Sequence, residues 1–178
     1  MDSINQQQPE KNHEDLQGSA AKARIKDMAK DSSCFFCTDF KKADAFATRP
    51  MAVRDIDEEG NLWFLSAYDS KKNHQISIEP VVQLLFQGSS YSEFLTLFGS
   101  AEIILDKQRI KELWSPILKT WFTEGVDDPR ITAIRVSPSK GYYWDTKHGA
   151  AVSMIKQAAG AIIGKTLDDS IEGSIRVE

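Results

Sequence analysis

The chain has 178 residues, enough for one domain with a substantial core, and 41% hydrophobic against 27% charged residues is the balance of a globular protein. A net charge of −4 with no long basic stripe argues against nucleic acid or an anionic membrane as the main partner. No apolar run reaches bilayer-spanning length and the start lacks a basic-then-apolar signal pattern, so a cytoplasmic protein is expected.

Residues 1–18 are polar, with Gln6-Gln7-Gln8 and several charges, and read as a flexible arm that cannot bury enough to order itself. Residues 19–30 place Ala21, Ile25 and Met28 at helical spacing, predicting a short amphipathic helix. Residues 33–40 read as the first strand and hold both cysteines, Cys34 and Cys37. A Cys-x-x-Cys raises redox or zinc chemistry. In a strand, however, positions three apart point to opposite faces, and no second Cys pair or nearby His completes a metal set. Buried, inert thiols are the expectation, and no metal site is assigned.

Residues 45–54 and 62–67 flank an acidic turn ending in Glu59-Gly60-Asn61, the pattern of a hairpin. In the first of these, Ala47, Arg49, Met51 and Val53 share a face, and Pro50 belongs at an edge or bulge because it cannot donate to a ladder. Residues 70–77 read as a short helix with Ser70 as its cap, ended by Pro80. A hydroxyl, two lysines (Lys71, Lys72) and open backbone N–H groups at one helix start make a candidate phosphate site. Arg49 can offer a forked guanidinium to the same anion. The alternative is a solvated Lys-Lys pair beside a surface Arg. His74 lies on this helix and receives no role.

Residues 81–86 form a near-continuous apolar run, expected to be a strand buried on both faces. Residues 91–105 are the longest strand-like run, with an interior Gly99 that predicts a bulge or bend of the kind a small barrel needs. Asp106 opens two short helices, 107–114 and 116–122, separated by a kink at Ser115-Pro116. Their apolar and aromatic stripe through Trp114 and Trp121 reads as core. Residues 131–144 are strand material broken at 138–141, residues 150–163 read as a helix stopped at Gly164, and 174–177 add a last short strand.

Arg49-Pro50-Met51, Trp63-Phe64-Leu65-Ser66, Tyr68-x-Ser70-Lys71-Lys72 and the segment 80–86 follow the order of the pyridoxine-phosphate-oxidase-like, FMN-binding split-barrel superfamily, which the chain resembles. Leu113-Trp114-Ser115-Pro116, Trp121-Phe122 and Gly125-Val126-Asp127-Asp128-Pro129 extend the resemblance to its general stress protein branch, over residues 25–177. The resemblance implies a mainly β fold, a six-stranded antiparallel split barrel with short α-helices. Residues 19–148 would be the barrel domain with its N-terminal helix, and 149–178 a helix and short strand packed on it. It further implies a homodimer with FMN in a groove between subunits. Arg49, Ser70, Lys71 and Lys72 would then hold the phosphate, Met51 and Ser66 would line the ring region, and Trp144 would reach the flavin from the partner subunit.

Two departures stand against pyridoxine phosphate oxidation itself. The chain lacks the oxidases' arginine-rich ending after Trp144, and Phe94 stands where they place a flavin-contacting Gln. No Ser/His/Asp set and no metal-ligand spacing is present among His13, His74 and His148. Flavin itself would therefore carry any redox chemistry. The expected function is a flavin-dependent oxidoreductase with a nicotinamide donor and an unassigned acceptor. The alternatives are a non-catalytic flavin-binding protein of the stress response and a dimeric interaction module.

Overall fold

The computed structural model describes residues 12–41, 46–88, 93–148 and 169–178. Nine strands form one sheet among these residues: β1 (Leu16–Gln17), β2 (Ser33–Thr38), β3 (Ala47–Ala52), β4 (Asp55–Ile56), β5 (Leu62–Ala67), β6 (Val81–Gln87), β7 (Phe94–Ile104), β8 (Ile131–Thr146) and β9 (Ser170–Arg176). Three α-helices accompany them, α1 (Gly18–Ala29), α2 (Lys71–Ile78) and α3 (Lys107–Leu113), with 3-10 turns at Pro116–Thr120 and Gly125–Asp127.

The barrel runs β3-β2-β6-β7-β8-β5-β4, and its closure lies in one bent segment. β3 pairs with β2 along its length, from Ser33 opposite Ala52 to Thr38 opposite Ala47. The chain then turns through Val53, whose N–H donates to the Ser32 carbonyl, and Arg54, whose N–H donates to the Trp63 carbonyl. It continues as β4, paired with β5. The expected hairpin between 45–54 and 62–67 is thus confined to β4 and β5, because β3 is claimed by β2. With β3 and β4 counted as one bent strand, the circuit is the six-stranded antiparallel split barrel.

Phe36 and Phe64 meet edge-on inside it, centroids 5.3 Å apart, within a core that includes Val82, Leu84, Leu95, Leu97, Ile134 and Val136. α1 caps this core with Ala21 and Ile25, as its sequence spacing predicts, and with Ala29, while the expected Met28 is only partly buried against it. A second cluster forms where α3 lays Ile110 and Leu113 over Trp63, Leu65, Ile131 and Ala133. Asp106 caps α3, accepting from the Gln108 and Arg109 N–H groups.

Several sequence expectations change here. β6 alternates, with Val82, Leu84 and Phe86 buried but Val81 exposed and Leu85 half-buried, so only one of its faces is core. An antiparallel barrel strand needs just one apolar face, and the apolar outer positions are surface. β8, not 91–105, is the longest strand, and it runs unbroken through Pro138. The register explains this: Gly99 faces Pro138 while Phe98 faces Lys140, so Ser139 is the extra residue of a bulge. On its other edge β8 pairs with β5 through Val136 and with β9 from Lys140, so the proline falls where no partner needs its missing N–H. Gly99 is required at this crossing, since a Cβ there would run into the Ser137 carbonyl oxygen.

At the N-terminus, residues 12–17 are not a free arm: β1 lies parallel to β9, and the Glu14 N–H donates to the Glu172 carbonyl. β9 itself begins at Ser170, four residues before the predicted strand. Trp121 is 63% exposed and Ile117 65% exposed, so these two members of the expected stripe are not core, whereas Leu118 packs against the second cluster and Phe122 is buried in it. The expected helix at 150–163 and the first eleven residues lie outside the described residues.

Candidate functional site: two cations at the head of a helix

α2 starts where β5 ends, and its first turn is fixed by polar contacts. The Ser70 hydroxyl accepts from the Asn73 N–H at 3.2 Å, the predicted cap, and lies 3.1 Å from the Ser66 hydroxyl. Asn73 Nδ2 donates to Thr132 Oγ1 (2.9 Å), which donates to the Ser66 carbonyl (3.1 Å). Asn73, Thr132 and Ser66 are all buried, so this network seats the helix on β5 and β8 and sets its rotation.

That rotation separates the two lysines. Lys71 points outward and is exposed. Lys72 points into the barrel wall, 8% exposed, with Nζ 3.4 Å from Met51 Sδ, a weak acceptor. Burial, and then the Arg49 charge, push the Lys72 ammonium down to about 8 from an ordinary 10.5. No carboxylate forms an ion pair with it among the described residues. Burying an ammonium without a counter-ion is costly.

Arg49 stands two residues from Met51 on the same face of β3. Its Nη1 donates to Thr38 Oγ1 (2.6 Å) and its Nη2 donates to Gln75 Oε1 (2.7 Å). Burial lowers its pKa, opposed by Cys37 and Asp39. Its hydrogen bonds among the described residues all go to neutral oxygens. Two inward cations, two hydroxyls and the start of α2 thus share one corner of the barrel. The chemistry they are fitted to is binding an anion.

Of the residues expected from the sequence, Arg49, Met51 and Lys72 come together directly. Ser66 and Ser70 adjoin them at the head of α2, and Lys71 flanks that turn from outside. Trp144 does not join this group within one chain. It lies at the far end of β8, opposite Phe94 and Glu172, with its ring 4.6 Å from Tyr142. Ser66 pairs with Thr132 near the start of β8. The span from Thr132 to Trp144 along that strand is about 40 Å at ~3.3 Å per residue. Thr38 and Gln75, which hold Arg49, were not singled out by the sequence. Helical spacing does put Gln75 three residues after Lys72, the one local hint of a shared face.

Cys34 and Cys37 are both buried and free, as expected, and burial pushes the Cys34 thiol up to about 12. His74 is exposed, while His13 and His148 pair with Asp15 and Asp169. Among the described residues no helix is long and apolar enough to cross a membrane.

Comparison with known proteins agrees with this architecture. Protein bli-3 of Neurospora crassa is 24% identical over 147 residues, 78% of this chain and 70% of that protein. General stress protein 26 from Jannaschia sp. CCS1 superposes with a TM-score of 0.71 at 20% identity, covering 89% of this chain and 99% of that one. General stress protein 26 from Bacillus anthracis gives 0.59 at 24% identity, over 68% of this chain and 92% of that chain. The general stress FMN/FAD binding protein of Xanthomonas citri gives 0.56 at 20% identity, over 68% and 84%. The pyridoxamine 5'-phosphate oxidase-like family matches residues 20–168, a span that takes in all but the first two residues of α1, the whole barrel and the cation pair. This chain belongs to that family.

Proposed function

We propose that the protein binds FMN, with the flavin's phosphate at the Arg49–Lys72 pair. The observation that carries this reading is Lys72, a buried ammonium whose side-chain hydrogen bond among the described residues goes to a thioether and whose neighbour is a second cation. A phosphate supplies the missing negative charge. Arg49, Lys72 and Ser70 would hold it, and Lys71 would add charge from the rim. Met51 and Ser66 adjoin this corner and would line the ring region. A flavin-binding relative of the same fold supports the choice of ligand. Trp144 would come from a second copy, which makes the working unit a homodimer.

Flavin supplies hydride and electron transfer, so the protein's part is to seat and orient it. We read the protein as a cytoplasmic flavin-dependent oxidoreductase of the general stress type, with a nicotinamide donor. The test is steady-state oxidation of NADH and NADPH by the FMN-loaded protein. Turnover that depends on added FMN and falls away in Arg49→Ala supports this reading. Tight FMN binding without turnover would make it a flavin store or sensor. No binding after reconstitution would leave the barrel as an interaction module.

A further inference from the structure

Arg49 is held by a closed ring of neutral groups. Its Nη1 donates to Thr38 Oγ1, its Nη2 donates to Gln75 Oε1, and Thr38 Oγ1 donates to that same Gln75 oxygen at 2.8 Å. The carboxylate stands one amide further out, where Gln75 Nε2 donates to Asp39 Oδ2 at 3.2 Å. Asp39 has φ 67°, a left-handed conformation that Asp tolerates better than most residues, in the turn after β2. The donors and the acceptor fix the Gln75 amide in one orientation: its oxygen must face Arg49 and Thr38, its nitrogen must face Asp39.

We propose that Gln75 is a positioning residue that sets the charge of the anion site. It aims the guanidinium while keeping the Asp39 carboxylate an amide's length away. The corner therefore keeps Arg49 and Lys72 out of direct contact with that carboxylate, which acts on Arg49 only from a distance. Such a site selects a terminal phosphomonoester, which carries close to two negative charges at neutral pH, over a phosphodiester, which carries one. A carboxylate in place of the amide would pair with the guanidinium as a fork and cancel half of the corner's positive charge. This inference rests on the phosphate reading above.

The experiment is a fluorescence titration with FMN, the monomethyl phosphate ester of FMN, and riboflavin, which form a charge series with one ring system. The proteins are the wild type, Gln75→Glu and Gln75→Met. Wild type should prefer FMN to the ester and the ester to riboflavin, with about 30-fold or more between FMN and riboflavin. Gln75→Glu should lose ~10-fold or more in FMN affinity and collapse the series, with riboflavin changed by less than about threefold. Gln75→Met, which frees the guanidinium without cancelling its charge, should fall between them. A merely structural role would weaken all three flavins alike, so equal losses would overturn the proposal, as would an unchanged series in Gln75→Glu. Should Gln75→Glu fail to fold, an unchanged series in Gln75→Met overturns it instead. A wild type with no preference for FMN over riboflavin would sink the phosphate reading itself, which is a separate result.

Discussion

Lys72 is where the chain spends stability on a site. Its ammonium is buried beside a cation, and its pKa falls from 10.5 in an ordinary environment to about 8 in the fold. Below pH 8 both folded and unfolded chains hold this proton, and the folded state bears the full cost. Between pH 8 and 10.5 the unfolded chain binds more protons, so stability rises with pH, by up to about 3 kcal/mol from this group. Tyr142 and Tyr143 act the other way above pH 10, since burial raises both phenols and the unfolded chain loses those protons first. The Cys34 thiol, pushed up to about 12 by burial, acts against this gain above pH 9, so urea unfolding at pH 7.0 and 9.5 should show the ligand-free protein gaining stability while Lys72→Met loses a little. Parallel profiles for the two proteins would contradict the buried charge. An anion on the site restores the ammonium, so FMN binding near pH 8.5 should take up a proton, and FMN affinity should decline as pH rises past 8. Calorimetry in two buffers of different ionisation enthalpy measures that uptake. The capping Ser70, the paired lysines and Arg49 were all legible in the sequence as a phosphate-type cluster. Which lysine turns inward was not, because the Asn73–Thr132–Ser66 network that sets the helix rotation joins residues far apart in the chain. Thr38 and Gln75 were hidden for the same reason.

At the scale of elements, the crossing of β7 and β8 is the joint on which the barrel depends. The sequence marked Gly99 as a bend and was right about the bulge, but it read Pro138 as a break. A proline ends a strand only where its N–H is needed, and whether it is needed depends on the neighbouring strand. Here β5 leaves the edge of β8 before the proline and β9 joins it after. Gly99→Ala should destabilise the protein by more than about 2 kcal/mol, because the new methyl collides with backbone that cannot move aside. Pro138→Ala should cost under about 1 kcal/mol, since no ladder bond is gained or lost. Chemical denaturation of both variants checks the pair, and a tolerant Gly99→Ala would mean the crossing is looser than the register implies. The split of the expected hairpin has a similar origin. Local pattern showed two apolar runs around a turn, but not that β2 would take the first as its partner.

For the molecule as a whole, the barrel and its family were carried by an ordered set of short motifs, each weak alone. The expectation of a homodimer rests on resemblance, and an apolar row on the fold is a place to look for the contact. Pro50, Phe35 and Leu85 stand side by side on the outer surface of β3, β2 and β6, with Phe35 56% exposed. An apolar row of this kind on a sheet face is suited to burial against another surface. Trp144 lies at most about 40 Å along β8 from the residue paired with Ser66, and the proposal has it act on a flavin at this site from another copy. Sedimentation velocity should show a dimer. Trp144→Ala should lower flavin affinity several-fold without changing the sedimentation coefficient, and a monomeric wild type would remove Trp144 from the site.

The central claim is that the Arg49–Lys72 pair is a phosphate seat, and the most direct test is calorimetric titration of the wild type and Lys72→Met with FMN and with riboflavin at pH 7. The account predicts about one FMN per chain for the wild type. In Lys72→Met it predicts ~30-fold or more weaker FMN binding, the loss of one buried charge-assisted contact of roughly 2–3 kcal/mol, with riboflavin affinity nearly unchanged. Equal FMN affinity in the two proteins would contradict it and leave Lys72 a buried charge without a ligand.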